Sequence, residues 1–132
     1  MPRKIVGPAE GEPDIKEMRV HTWLLSQIKK RYPKATVREI SRKNGTHVEV
    51  TDGSAWSYKP PSGAYGKKGT PDFLFCINGC FIAIEVKRIS GSMTKMQDIE
   101  LQKISDAGGL AILLVGKNFE VFKHIDEFVN RA

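Results

Sequence analysis

Residues 72–87 read DFLFCINGCFIAIEVK. Two apolar runs flank Asn78-Gly79, a dipeptide suited to the two-residue turn of a β-hairpin because both of its residues tolerate positive φ. With Asn78 and Gly79 as the loop, Ile77 stands opposite Cys80, and the same register sets Asp72 opposite Glu85. Along the second strand, alternation puts Phe81, Ala83, Glu85 and Lys87 on one face and Ile82, Ile84 and Val86 on the other. A strand that reads as buried on both faces therefore carries two charges in one row. Opposed residues of an antiparallel pair have Cβ atoms about 4.5–5.5 Å apart, so two carboxylates crowd one spot beside Lys87. At an effective dielectric near 20, like charges about 4 Å apart repel by roughly 4 kcal/mol, a large fraction of the stability of a small domain. A divalent cation would compensate; so would a salt bridge from Lys87 to one carboxylate at a sheet edge. The register also predicts free thiols, since it sets Cys76 and Cys80 on opposite faces.

Outward from the hairpin, the pattern is that of one α/β domain over 1–132, a central mixed sheet flanked by helices. Residues 1–13, rich in Pro, Gly and Glu, read as a flexible lead-in. Pro13-Asp14 then starts an amphipathic helix that runs to about Tyr32, with Pro33 as its stop. ATVREISR, an Asn44-Gly45 turn, THVEVTD and SAWSYKP read as a meander of half-buried strands. The segment 60–69, PPSGAYGKKG, reads as a mobile exposed loop. After the hairpin, a helix is expected from Thr94 to about Ala107, closed by Gly108-Gly109, followed by the buried strand LAILLVG. A strand, helix, strand order implies a right-handed parallel crossover. FEVFK is expected as an edge strand and HIDEFVNRA as a closing helix.

The chain has 132 residues, 40% of them hydrophobic, enough for one core. Its 21 Lys and Arg against 15 Asp and Glu give a net +6 and favour an anionic partner such as DNA. No apolar run is long enough for a membrane span, and the N-terminus lacks the apolar stretch of a signal peptide, so a cytoplasmic protein is expected, in a bacterium or a virus-infected host. CINGC, with two Cys and no nearby His, is a poor zinc signature.

Two helices bring further candidates. With residues 100° apart, Glu17 falls within the apolar stripe of Val20, Leu24 and Ile28 and points inward, but Asp14-x-x-Glu17 also spells a capping box. Gln97 shares a face with Leu101 and Ile104, while Thr94-Lys95-Met96-Gln97 spells a second capping box. His21, His47 and His124 show no mutual spacing for a triad or a zinc site and read as ordinary.

Gly69-Thr70-Pro71-Asp72, twelve intervening residues, then Glu85-Val86-Lys87 resembles the signature of the PD-(D/E)XK nuclease superfamily. The longer run GTPDFLFCINGCFIAIEVKR, followed by SMTKMQ and a helix ending in Gly108-Gly109, is similar to its VRR-NUC branch; the match covers about residues 69–115 and the first helix. The resemblance implies a restriction-endonuclease-like fold in which Asp72 and Glu85 ligate a metal with the backbone carbonyl of Val86, Lys87 serves the attacking water, and Gln97 supports the site. Glu17 matches the acidic residue of the family's first helix and joins the metal ligands. One or two Mg2+ or Mn2+ ions suit such an oxygen set. Members of the resembled family act on branched DNA, including four-way junctions, so the implied activity is structure-selective endonuclease cleavage. The rivals are flap- or nick-directed cleavage, a restriction-type sequence-specific nuclease, and a DNA-binding module without turnover.

Lys67 and Lys68, with Lys29, Lys30 and Arg31 at the end of the first helix, are the candidate phosphate contacts. Paired cuts in a four-way junction call for a two-fold homodimer, with Ala55 to Tyr65 or the LAILLVG–FEVFK end as contact surface.

Overall fold

The structure, a computed structural model, describes residues 3–33, 37–42, 45–50, 55–61 and 67–131, with 37–42 and 45–50 described by their backbone. In chain order the elements are β1 Lys4–Val6, α1 Glu17–Arg31, β2 Val37–Arg42, β3 Gly45–Val50, β4 Ala55–Tyr58, β5 Phe73–Ile77, β6 Cys80–Lys87, α2 Lys95–Asp106, β7 Leu110–Val115 and α3 Glu120–Val129.

The β5–β6 hairpin has the expected register, from Ile77 opposite Cys80 to Phe73 opposite Ile84. Asn78 and Gly79 have φ of 50° and 79°, the two left-handed residues that a tight hairpin turn requires. The main sheet has the order β1-β7-β6-β5-β4. β4–β5 and β5–β6 are antiparallel pairs, and β6–β7 and β7–β1 are parallel. It is an α/β fold with a five-stranded mixed sheet and, among the described residues, three helices. α1 and α3 cover the face built by Phe73, Phe75, Ile77, Ile82, Ile84, Leu110, Ile112 and Leu114. α2 covers the other, where Ala83 and Ala111 stand opposite each other and let Leu101 and Ile104 approach closely. Cys76 and Cys80 are both free thiols.

Four expectations are corrected. The lead-in contains β1, whose Val6 is buried in the core and pairs with Leu114; the Pro and Gly residues that follow mask so short a strand. α1 starts at Glu17 rather than at Pro13-Asp14, because Asp14 is committed elsewhere: its carboxylate accepts from Arg88 Nε at 3.2 Å and from the Ser90 N–H at 3.5 Å. The meander is split: β2 and β3 form a two-stranded sheet of their own, whereas β4 joins the main sheet. Gly45 pairs with Arg42 inside that small sheet rather than turning the chain with Asn44, and 43–44 lie outside the described residues. Finally, FEVFK is no edge strand. Val121, Phe122, Ile125, Phe128 and Val129 recur at helical spacing and are buried, and Asn118 Oδ1 accepts from the Glu120 N–H at the helix start. β7 lies between β1 and β6 and offers no free edge for a dimer contact. The centre of the expected loop, 62–66, lies outside the described residues.

Helix α1 tests the assignment of faces. Leu24, fully buried, is expected to cost about 2–5 kcal/mol when changed to Ala, whereas Met18→Ala, at a position 61% exposed, should stay within about 0.5 kcal/mol. Urea denaturation of the two variants measures the difference.

Candidate functional site

The site lies at the end of the sheet where β5 begins and β6 ends. The hydrogen-bonded pairs of the hairpin would continue from Phe73 and Ile84 to Pro71 and Val86. Proline has no N–H to give the Val86 carbonyl, so the ladder stops there. The chain instead turns Asp72 inward, and its Oδ2 accepts the Val86 N–H at 2.8 Å. Gly69 makes the approach close: at φ +82°, a Cβ there would lie 2.5 Å from the Met96 carbonyl oxygen, so only glycine lets residues 69–72 lie against the start of α2.

Glu85 and Lys87 project from the same face of β6, as alternation requires. Glu85 is 1% exposed, and Lys87 Nζ lies 3.6 Å from its Oε1. Gln97 donates from Nε2 to the same Oε1 at 3.1 Å. Its own Oε1 accepts the Thr94 N–H at 2.9 Å while the Gln97 N–H reaches Thr94 Oγ1, so the capping box forms as well. The two roles expected for Gln97 are compatible, because its amide oxygen caps the helix and its amide nitrogen holds Glu85. Glu85 Oε2 is buried without a hydrogen-bond partner among the described residues.

Glu17 is the first residue of α1, and no side chain caps that helix, so the capping box expected for Glu17 does not form. Glu17 turns instead toward His21, one turn along. The His21 ring is 7% exposed and packs edge-on against Phe73, centroids 5.1 Å apart. Its Nε2 lies 3.5 Å from Glu17 Oε1 and 3.5 Å from Asp72 Oδ2 without meeting hydrogen-bond geometry to either, and Nδ1 has no hydrogen-bond partner among the described residues. A buried polar group left so costs about 1–3 kcal/mol. His21 was expected to be ordinary. The available signal was its position four residues after Glu17 on the apolar stripe.

Electrostatics sets the two carboxyls apart. Burial and the facing Asp72 carboxylate push Glu85 up to about 8, against the pull of the Lys87 ammonium. Burial would raise Asp72 too, but its contacts with His21, the Val86 N–H and Glu85 outweigh that and hold it below the usual carboxylate range. Near neutral pH, Asp72 is the ionised member of the pair and Glu85 keeps a proton unless positive charge is brought in.

The site thus gathers Asp72, Glu85, Lys87, Gln97, Glu17 and the Val86 backbone. The basic candidates on α1 do not gather with them. Lys29, Lys30 and Arg31 occupy the last turn of the 15-residue α1, about 20 Å from Glu17. The Arg31 guanidinium is stacked 4.4 Å from the centre of the Phe122 ring. Lys67 is paired with Glu100 at 3.2 Å, and Lys68 is exposed beside it. His47 lies in β3, and His124 is on α3, 4.0 Å from Glu120. Comparison of the chain with protein-family models, with curated proteins and with solved structures finds no match.

The raised Glu85 carboxyl has a consequence for stability. Glu85 holds its proton more tightly folded than unfolded, so from its ordinary value of 4.5 to about 8 the native state binds more protons. In EDTA, stability should therefore fall as pH rises through that window. Asp72, lowered on folding, acts in the opposite sense at acid pH, where its contribution is lost as pH falls. Urea denaturation across this range should show the decline in the native protein and a flatter profile in Glu85→Gln; equal slopes would contradict the assignment.

Proposed function

We propose that the chain is a Mg2+- or Mn2+-dependent deoxyribonuclease of the PD-(D/E)XK kind, similar to its VRR-NUC branch, which hydrolyses phosphodiester bonds in branched DNA. The observation that carries this is the buried Glu85 carboxyl facing Asp72, with Lys87 and Gln97 on its other oxygen. Two carboxyls forced together, one with an orphaned buried oxygen, are a donor set in need of a cation, and all its donors are the hard oxygens that Mg2+ and Mn2+ favour.

A bound divalent cation supplies Lewis acidity to a phosphoryl oxygen and acidifies a water. Asp72 and Glu85 would hold it through the oxygens left over from the Val86 N–H and from Gln97, with Glu17 and the Val86 carbonyl completing the set. Lys87, its side chain 13% exposed, is placed to orient the attacking water and to neutralise charge that gathers on the phosphate oxygens. Water forms the new bond to phosphorus, the bond to the leaving sugar oxygen breaks, and that oxygen takes up a proton. Gln97 keeps Glu85 in one rotamer throughout.

Branched DNA is the substrate class that the resemblance favours. One such site per chain makes one cut, so resolution of a four-way junction requires a two-fold dimer. Trp56 and Tyr58, exposed and stacked on the edge strand β4, are the candidate contact.

Linear, flap and four-way DNAs incubated with and without Mg2+ test the proposal. Metal-dependent cleavage of branched substrates is expected, abolished in Asp72→Asn and Glu85→Ala. Lys87→Ala should lower the rate by roughly 10²–10⁴-fold with metal binding largely kept. Cleavage at one sequence in linear duplex would instead favour a restriction-type enzyme, and binding without cleavage a DNA-binding module.

A further inference from the structure

Glu17 Oε1, His21 Nε2 and Asp72 Oδ2 lie within 4.8 Å of one another. Two carboxylates alone would make no site. The third member is the one that speaks for a ligand: a ring 7% exposed, with neither nitrogen hydrogen-bonded among the described residues, whose Nε2 stands 3.5 Å from each carboxylate oxygen. We propose that these three atoms hold a divalent transition-metal cation in a position of its own, beside the all-oxygen position between Asp72 and Glu85.

The spacing suits such an ion. Donors about 2.1 Å from a tetrahedral centre are roughly 3.4 Å apart, close to the two contacts His21 Nε2 makes. Donor chemistry sets the class: imidazole with carboxylates favours Mn2+, Zn2+ and their first-row neighbours, whereas Mg2+ and Ca2+ prefer oxygen throughout. The ring is oriented by the edge contact with Phe73 and by burial. Glu17 and Asp72 are common to both positions, and His21 is the ligand that sets this one apart; Asp72 Oδ2 faces His21, and the carboxylate also meets Glu85.

The inference deepens the nuclease proposal in sharing Asp72 with it, but its test does not depend on cleavage. Mn2+ is added to the full chain and the bound ion examined by pulsed electron paramagnetic resonance, which detects an imidazole nitrogen on the metal. A nitrogen signal is expected in the native protein and in Glu85→Gln, and its loss in His21→Gln. Affinity for Mn2+ at this position should fall roughly tenfold or more in His21→Gln, with Mg2+ binding little changed. Glu17→Gln, at a half-exposed position that tolerates substitution, should weaken the same signal even if His21→Gln folds poorly. Bound Mn2+ without a nitrogen signal overturns the inference and leaves the nuclease proposal standing, as does a signal that survives His21→Gln. No Mn2+ bound at millimolar concentration overturns it as well. A nitrogen signal in a protein that cuts none of the DNAs would retain the cation position and remove the nuclease.

Discussion

One hydrogen bond governs this end of the molecule: the Val86 N–H given to the Asp72 carboxylate. It stands where a backbone carbonyl would stand if the β5–β6 ladder continued, and Pro71 is the reason the ladder does not. A backbone acceptor would have left a closed sheet edge. A side-chain acceptor fixes a carboxylate within reach of Glu85 and leaves the Val86 carbonyl without its ladder donor. Both are destabilising in isolation, and both arise from a single substitution of a side chain for a main chain. The local rule is broken at the place where the chemistry is gathered, as is usual where a fold gives up stability for a site.

The two helices reinforce that arrangement from opposite faces. α1 brings Glu17 and His21 to Asp72, and α2 brings Gln97 to Glu85. Glu17 and Gln97 do so from the first turns of their helices, so the positive ends of two helix dipoles lie at this end of the sheet. The contact of Gly69 with the Met96 carbonyl keeps α2 at that distance. The Asp14–Arg88 ion pair does the same for the approach to α1, tying the residues before the helix to the end of β6.

What could be read in the sequence follows from how local each constraint is. The hairpin was legible to the residue because a two-residue turn fixes the register, and the opposition of Asp72 and Glu85 came with it. α2 was legible because its capping box and closing glycines are all within the helix itself. α1 was not, at its start, because Asp14 is drawn away by Arg88, a partner 74 residues distant. β1 escaped because three residues carry no periodicity. FEVFK was misread because five residues fit a strand and a helix equally, and the burial of Ile125, Phe128 and Val129 further on decides between them. His21 was read as ordinary, because nothing local says that Asp72 lies across from it.

The charge of the chain belongs to this account. A net +6 suggests an anion-binding face, yet Lys67 is held by Glu100 and Arg31 lies over Phe122. Overall charge can draw an anion toward the molecule through long-range attraction, which salt screens within about 10 Å. It cannot place a phosphate. Placement falls to groups whose positions are fixed: Lys87, largely buried beside Glu85, and the N-termini of α1 and α2. Their positive character is set against Asp72 and Glu85, so in the absence of a cation the carboxyls would repel an incoming phosphate. On the proposed reading, a cation between them would reverse that field, and binding of a phosphate there would be coupled to binding of the metal, each strengthening the other by the same factor.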